Sequence, residues 1–174
     1  MSNKKRQADF TEDEFRLALG RFTTGVTIVT TTDPETKTPI GLTVSSFNSV
    51  SLNPPLVLWS LRLASHNLEL FKNASHYNIH ILANDQIDLA MQFSTAKTPD
   101  RFGGIDWEFS DNGAPLLSSN YCSAIFECAN EQQHLAGDHL IMVGYVERCQ
   151  HTNKLPLVFH AGTFDLTPTS RFGK

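Results

Sequence analysis

Residues 41–57 read GLTVSSFNSVSLNPPLV, the stretch from which most of the fold and the candidate site can be argued. Small hydroxyl side chains recur along it, as in Ser45-Ser46, and each would need a hydrogen-bond partner or water if it were buried. Such a strand is poorly suited to a core. Its small side chains allow a planar ligand to approach the backbone, where N–H groups and hydroxyls can bond to the ligand's edge. The alternative is an edge strand of a barrel with a solvated Ser/Thr face.

The residues on either side of this stretch predict further strands. A β-branched run at 26–32 precedes it, and the turn-forming residues 33–38 make 40–50 the expected hairpin partner of that run. Asn53-Pro54-Pro55 then interrupts the chain, and 56–61 has the composition of a buried strand. Strands are also predicted at 77–82, 122–130, 140–149 and 157–166.

Three short helices are predicted around these strands. Residues 11–22 begin with the capping-box spacing of Thr11 and Glu14, and apolar residues from Phe15 to Phe22 recur at helical spacing, so this helix should pack on the barrel. The other helices are expected from a cap at Ser65 and over 86–93. Few strand pairs are linked by the helical crossover that a parallel sheet needs. The predicted fold is therefore mostly β, an antiparallel barrel with peripheral short helices.

The chain organisation follows from the absence of repeats, linkers and low-complexity tracts in the sequence. We expect one domain over 11–168, after a disordered start at 1–10 and before a tail at 169–174. Residues 94–120 are rich in glycine and proline and form a long connector, and connectors of that length are usually functional or flexible.

The composition excludes several classes of protein. The 174 residues include 14 basic and 18 acidic side chains, and the net charge of −4 argues against the basic face of a nucleic-acid-binding protein. No apolar run approaches the roughly 20 residues of a membrane span, and we expect 1–9 not to be a secretory signal, because no apolar core follows its basic residues. Cys122, Cys128 and Cys149 lack C-x-x-C spacing, which indicates buried free thiols in a reducing, cytoplasmic compartment. The 12 phenylalanines indicate a very aromatic core or a planar ligand.

Several common catalytic motifs are absent from the sequence. Neither G-x-G-x-x-G nor G-x-x-x-x-G-K-[ST] occurs, and neither do G-x-S-x-G and H-E-x-x-H. His134 and His139 are five residues apart, whereas a metal-binding pair needs three or four on a helix and an even number on a strand. We therefore expect no metal site.

Two further segments are candidates for chemistry. A helix start near Ser65 would offer free backbone N–H groups, together with the Ser65 and Asn67 side chains, to an anion. The alternative there is an ordinary N-cap. In Gly137-Asp138-His139, the aspartate can set the tautomer of the histidine, and the alternative is a turn with an exposed histidine.

Taken in order, these segments resemble one known family. TTGVTIVTT at 23–31, the stretch at 41–57, Ser60, AGDHLIMVGYV at 136–146 and PLVFHAGTF at 156–164 are similar to the short-chain flavin reductases. These are the small reductase components of two-component flavin-dependent monooxygenases. The resemblance runs from about Phe15 to Phe164. It implies an FMN-binding split-barrel fold, a homodimer, and reduction of free FMN or FAD by NADH or NADPH.

The resemblance also implies roles for individual residues. The strand that lines the flavin ring corresponds to Thr43, Val44, Ser45, Ser46 and Phe47. Ser60 and Leu61 match residues beside the ring and ribityl chain, and Ala64, Ser65 and His66 match the turn that holds the phosphate. Further flavin contacts correspond to Phe93, Ser94, Arg101 and Phe102, and the histidine near the nicotinamide site corresponds to His139. Some relatives carry lysines in the phosphate turn, and we expect Arg101 to supply the missing cation.

On this interpretation the protein's task is alignment of two rings. The flavin N5 accepts hydride from nicotinamide C4, and N–H donors of the 43–47 strand would meet the negative charge that develops at N1 and the C2 carbonyl. His139 would orient the nicotinamide or donate to the anionic reduced flavin, which would then diffuse to a separate monooxygenase. Two alternatives stay open: a non-catalytic flavin or haem carrier or sensor on the same barrel, and an FMN-dependent oxidase of the pyridoxamine-phosphate type.

Overall fold

The computed structural model describes residues 8–95 and 100–165. Its α-helices are α1 (Glu12–Leu19), α2 (Leu68–Asn73) and α3 (Ile87–Ser94), and Ser119–Tyr121 forms a 3-10 turn. Its strands are β1 (Thr24–Gly25), β2 (Thr27–Thr32), β3 (Pro39–Val44), β4 (Asn48–Leu52), β5 (Pro55–Arg62), β6 (His76–Leu82), β7 (Trp107–Phe109), β8 (Pro115–Leu117), β9 (Cys122–Ala136), β10 (His139–His151), β11 (Val158–His160) and β12 (Thr163–Asp165).

Seven strands form one antiparallel sheet in the order β3-β2-β6-β9-β10-β5-β4. β3 and β4 lie at opposite ends of this order, yet only residues 45–47 join them in the chain, so the sheet curls until its two edges meet. The Ser46 side chain bonds across the join: Oγ accepts from the Ser60 N–H at 2.9 Å and donates to the Ser60 carbonyl at 3.1 Å. The predicted antiparallel barrel with peripheral short helices is confirmed.

The predicted strand 40–50 divides into two strands at this corner. β3 pairs with β2 as far as Val44, and β4 pairs with β5 from Asn48 onwards. Between them Phe47 packs against the core, where its ring stacks on Phe126 at 5.6 Å. The expectation of one continuous hairpin partner is wrong, because the chain crosses from one edge of the sheet to the other at residues 45–47.

Two buried clusters fill the barrel. One surrounds Trp59, whose ring meets Phe71 and Tyr77 edge to face at 5.2 and 5.6 Å. The other contains residues of α3 and of the segment that follows it, including Phe93 and Phe102, whose rings lie 5.0 Å apart. This second cluster packs α3 against β2, and α3 also contacts β3, where the candidate site lies.

Part of the predicted connector 94–120 is regular structure, since β7 and β8 pair as a hairpin. The buried His80 ring holds this hairpin to the barrel. Its Nδ1 bonds to the Ile28 carbonyl and its Nε2 accepts from the Leu117 N–H, each at 3.1 Å. Burial lowers the pKa of His80 to about 4, so the ring is neutral near pH 7 and keeps the lone pair that Leu117 needs.

Helix α1 carries the predicted capping box. The Glu14 N–H donates to Thr11 Oγ, and the Glu14 carboxylate accepts from the Thr11 N–H. Its apolar face, however, does not pack on the barrel: no residue of α1 is buried, and Phe15 is 50% exposed. The helix ends at Leu19, earlier than the predicted end at Phe22, and Phe22 itself is 71% exposed. The predicted packing of this helix is wrong for the single chain, which leaves both rings in contact with solvent.

Helix α2 begins later than predicted. Its N-cap is Asn67, with no side-chain capping bond, and the helix has only six residues. Ser65 is therefore not its cap. The Ser65 hydroxyl instead accepts from the Asn67 N–H at 3.3 Å, within the turn that precedes the helix.

The last predicted strand, 157–166, is a hairpin of β11 and β12 joined at Ala161 and Gly162, which both have positive φ. Leu166 lies outside the described residues, as do the predicted tail at 169–174 and positions 1–7 of the predicted start.

Two of the three cysteines are buried, as predicted. Burial raises the pKa of the Cys122 and Cys128 thiols to about 12. Cys149 is exposed on β10, so the prediction of three buried thiols is wrong there. Among the residues described, no helix has the length and apolarity to cross a membrane.

Candidate functional site

A cleft of about 710 Å³ opens between β3, the turn at 65–67, the end of α3 and residues 100–102. Four separate predicted segments contribute to its lining. The predicted site residues that line it are Thr43, Ser65, His66, Phe93, Ser94, Arg101 and Phe102. The fold thus gathers in one place residues that are far apart in the sequence.

Helix α3 supports strand β3, which forms one wall of the cleft. The Thr43 hydroxyl donates to the Ala90 carbonyl at 2.7 Å, which ties β3 to the helix. A Cβ at Gly41 would stand 2.5 Å from the Phe93 ring, so only glycine allows the strand to approach this closely. The Thr43 hydroxyl, predicted as a ligand donor, is therefore engaged inside the protein.

The corner between β3 and β4 exposes main-chain donors. Ser45 and Ser46 are exposed, and within the part of the chain that the structure describes no hydrogen bond occupies their N–H groups. The Ser46 hydroxyl and the Ser60 N–H are bound to each other and are unavailable. Backbone amides, more than side-chain hydroxyls, are what this corner offers to a ligand.

Several predicted contact residues turn their side chains into the core. Leu61 is buried in the cluster around Trp59, and Val44 and Phe47 pack against that cluster. Phe93 is fully buried and Phe102 nearly so, although both reach the cleft lining. The lining does not include the other predicted contacts, which are Val44, Ser45, Ser46, Phe47, Ser60, Leu61 and Ala64.

Arg101 brings a positive charge to the cleft. Its guanidinium donates to the Gly41 carbonyl at 2.6 Å and to the Thr95 carbonyl at 3.1 Å. No carboxylate of the described residues forms an ion pair with it, and partial burial lowers its pKa. Guanidinium has five N–H donors, so donors remain for an anion in the cleft, which would offset the cost of burying the charge.

His139 lies at the start of β10, opposite Arg62 of β5. Its Nδ1 is 2.7 Å from Asp138 Oδ1, and this hydrogen bond holds the pKa of the Asp138 carboxyl below its usual range. A carboxylate can only accept, so Nδ1 carries the proton and Nε2 of the neutral ring is an acceptor. The Leu63 N–H donates to the Asp138 carbonyl at 2.9 Å. This bond connects the turn of Asp138 to the chain that leads into the 65–67 turn of the cleft lining. His139 itself is not among the lining residues.

Two residues that shape the cleft were missed from the sequence. Gly41 opens the stretch at 41–57, and a glycine inside a strand is a known signal of close backbone approach. Gln92 binds two carbonyls of the 101–103 segment, and nothing in the pattern of α3 distinguishes it from a solvent-facing glutamine.

The arrangement suits a planar heterocycle with an anionic tail. The Arg101 cation and the polar turn at 65–67 both line the cleft, and β3 leads from the lining to the exposed main-chain donors of Ser45 and Ser46. In the described ranges no cluster of three or more histidine, cysteine or acidic side chains is placed to hold a metal. The groups that line the cleft can bind a ligand, align it and compensate negative charge.

Comparison with known proteins gives a consistent result. Residues 19–167 match the model of the flavin reductase like domain. The chain is 48% identical over 150 residues to FMN reductase (NADH) SmoA of Agrobacterium fabrum, covering 86% of this chain and 83% of that protein. It is 40% identical over 151 residues to the reductase component of the flavin-dependent trigonelline monooxygenase of Acinetobacter baylyi, covering 87% of this chain but only 47% of that protein.

A solved structure with bound ligands has the same fold. The NADH:FAD oxidoreductase SgcE6 of Streptomyces globisporus C-1027, in complex with NAD and FAD fragments, superposes with a TM-score of 0.83 at 29% identity. The match covers 92% of this chain and 98% of that one.

Proposed function

The chain belongs to the flavin reductase like family, and on that premise we propose that it is an NADH:flavin oxidoreductase with FMN as its flavin. It supplies reduced flavin to a separate monooxygenase component. FMN is preferred here because SmoA, which is 48% identical to this chain over 150 residues, is an FMN reductase.

This proposal depends mainly on one observation, the position of the Arg101 guanidinium in the lining of the cleft. Arg101 is partly buried, bonds to two carbonyls and has no carboxylate partner in the described ranges. A flavin phosphate fits such a group, since a charge-assisted bond to phosphate uses the guanidinium donors that the carbonyls leave free. Ser65, His66 and Asn67 line the same cleft and add polar groups around the phosphate.

When bound, the flavin supplies a ring that accepts a hydride from the reduced nicotinamide. The protein contributes alignment and charge compensation. The N–H groups of Ser45 and Ser46 are donors for the electron-rich edge of the ring, and they are fixed in place because Ser46 is bound to Ser60. His139, with its Nε2 as acceptor, would hold the carboxamide N–H of the nicotinamide.

We further propose that the protein is a homodimer. Among the described residues, apolar side chains of the N-terminal region stay half exposed or more, including Phe10, Phe15 and Phe22. Contiguous exposed apolar surface on a small protein marks an interaction site, and a second copy is the partner that the chain itself provides.

The decisive test is consumption of NADH by the purified protein with FMN in excess. We expect the NADH absorbance to fall only when protein, NADH and FMN are all present. FMN binding without NADH consumption would favour a carrier or sensor. Oxidation of pyridoxamine phosphate by the FMN-loaded protein would favour the oxidase alternative, and either result would contradict the proposed function.

A further inference from the structure

Gln92 connects helix α3 to the segment that carries Arg101. Its Nε2 donates to the Arg101 carbonyl at 2.8 Å and to the Gly103 carbonyl at 3.1 Å. A primary amide nitrogen has two N–H donors, so both are used on this segment. The side chain is half-buried beside Phe93 and Ser94, which line the cleft, but Gln92 is not itself in the lining.

The segment that Gln92 binds is also anchored by aromatic contacts of its middle residue, Phe102. Phe102 meets Phe93 at 5.0 Å and Trp107 at 5.1 Å, and its N–H donates to Asp100 Oδ1 at 3.0 Å. These contacts fix the Phe102 ring. The backbone on either side of it is held to α3 by the two bonds from Gln92.

The guanidinium of Arg101 depends on that backbone position. The Arg101 guanidinium reaches the carbonyls of Gly41 and Thr95 only if the backbone of Arg101 is held in its present position. A displacement of about 1 Å at a positioned group can lower its contribution by orders of magnitude, because directional bonds are lost. The bonds of Gln92 therefore help to place the positive charge of the cleft, because they hold the backbone that carries Arg101.

We propose that Gln92 is a positioning residue for flavin binding, which acts by holding the carbonyls of Arg101 and Gly103 so that the Arg101 guanidinium meets the flavin phosphate. This inference rests on the proposed function only in assigning the cleft to a phosphorylated flavin. It does not depend on hydride transfer.

The test is flavin affinity, measured without NADH. FMN and riboflavin share the ring and the ribityl chain, and only FMN has the phosphate. Each is titrated into the protein while the tryptophan emission is followed, because Trp107 lies 5.1 Å from Phe102 of the cleft lining. Gln92→Met removes the donors at similar volume, and Gln92→Glu replaces them with acceptors. The matched controls are Gln86→Met and Gln86→Glu at the start of the same helix, where Gln86 Nε2 bonds to Asp85.

We expect both Gln92 variants to weaken FMN binding about tenfold or more, as the loss of two hydrogen bonds and a misplaced cation implies. Riboflavin binding and both Gln86 controls should change less than about twofold. Thermal unfolding of each variant identifies a folding defect, and the glutamate variant is available if the methionine variant is unstable. Unchanged FMN affinity, or an equal loss for FMN and riboflavin, would overturn the proposal. A protein that binds FMN in this way but consumes no NADH would contradict the proposed function and leave this inference intact.

Discussion

The Phe93 ring fills the space that a side chain at position 41 would need. A Cβ built on Gly41 would stand 2.5 Å from Phe93 Cε1 and 3.3 Å from Phe102 Cζ. The close approach brings the Gly41 carbonyl within 2.6 Å of the Arg101 guanidinium. A contact inside the core thus sets the position of the cation in the cleft.

Gly41→Ala should destabilise the protein and weaken FMN binding together. The added methyl group must displace a fully buried ring, and overpacking of this kind costs about 1–3 kcal/mol. For a chain of this size that lowers the Tm by roughly 2–12 °C. Gly25→Ala is the matched control, because nothing lies within 4 Å of a Cβ there. Equal melting temperatures for the two variants would show that the contact is not tight.

Arg101→Gln should raise the KM for FMN far more than the KM for NADH. A charge-assisted bond to a phosphate contributes about 1.5–3 kcal/mol, which corresponds to a loss of roughly tenfold to a hundredfold in flavin affinity. Arg101→Lys keeps the charge but loses the planar guanidinium that bonds to two carbonyls. Its KM for FMN should therefore lie between those of the wild type and Arg101→Gln. Steady-state kinetics with each substrate varied in turn measures the effect. A KM for FMN that stays at the wild-type value in Arg101→Gln would exclude Arg101 as the phosphate ligand.

His139→Ala should lower kcat/KM for NADH by about tenfold or more, because it removes an acceptor for the nicotinamide carboxamide. Asp138→Asn should lose much less, since the amide oxygen still accepts from His139 Nδ1. His134→Ala, at an exposed site on the neighbouring strand, is the control. If His139→Ala keeps turnover within a few-fold of the wild type, the histidine is only a turn residue.

Stability should fall as the pH decreases from about 6.5 towards 4, partly through His80. The pKa of His80 in the folded chain is lowered to about 4, while the unfolded value is near 6.5. Between these values the unfolded state binds the extra proton, so protonation favours unfolding, by on the order of 2 kcal/mol at about pH 5 relative to neutral pH. Urea unfolding at several pH values measures this. His80→Asn should flatten the dependence and His151→Asn, at an exposed site, should not; equal slopes in the two variants would refute the assignment.

If the protein is the homodimer proposed above, Phe15→Ser combined with Phe22→Ser should convert it to a monomer without unfolding the barrel. Both rings are at least half exposed in the single chain, so their loss costs the monomer little and removes apolar area from the interface. Light scattering after gel filtration gives the mass. Phe109→Ser, an equally large change at a ring that is 50% exposed on β7, serves as the control. A wild-type protein of monomer mass would refute the homodimer.

Much of the fold could be predicted from local patterns. The β-branched run became β2, the alternation at 77–82 became β6, and the Thr11–Glu14 spacing became a capping box, because each depends on residues close in sequence. The division of 40–50 into β3 and β4 could not be predicted, since it depends on where the curled sheet closes. The hairpin inside the connector depends on His80, which lies far from it in the sequence.

For the candidate site, the sequence predicted which segments come together but not which of their atoms face a ligand. The segments of Thr43, Ser65, Phe93 and Arg101 do meet in one cleft. Which atoms face a ligand could not be foreseen, because the Thr43 and Ser46 hydroxyls donate hydrogen bonds to carbonyls of other elements. Gln92 gave no sequence signal, since its role comes from a segment that the fold brings beside α3.

The most direct test of the central claim is the rate of NADH oxidation under anaerobic conditions with stoichiometric FMN. Wild-type protein should bleach the oxidised FMN absorbance as NADH is consumed, in equal amounts, and Arg101→Gln should do so only at much higher FMN concentration. NADH and FMN that both stay unchanged in the presence of folded, FMN-binding wild-type protein would contradict the assignment of this chain as a flavin reductase.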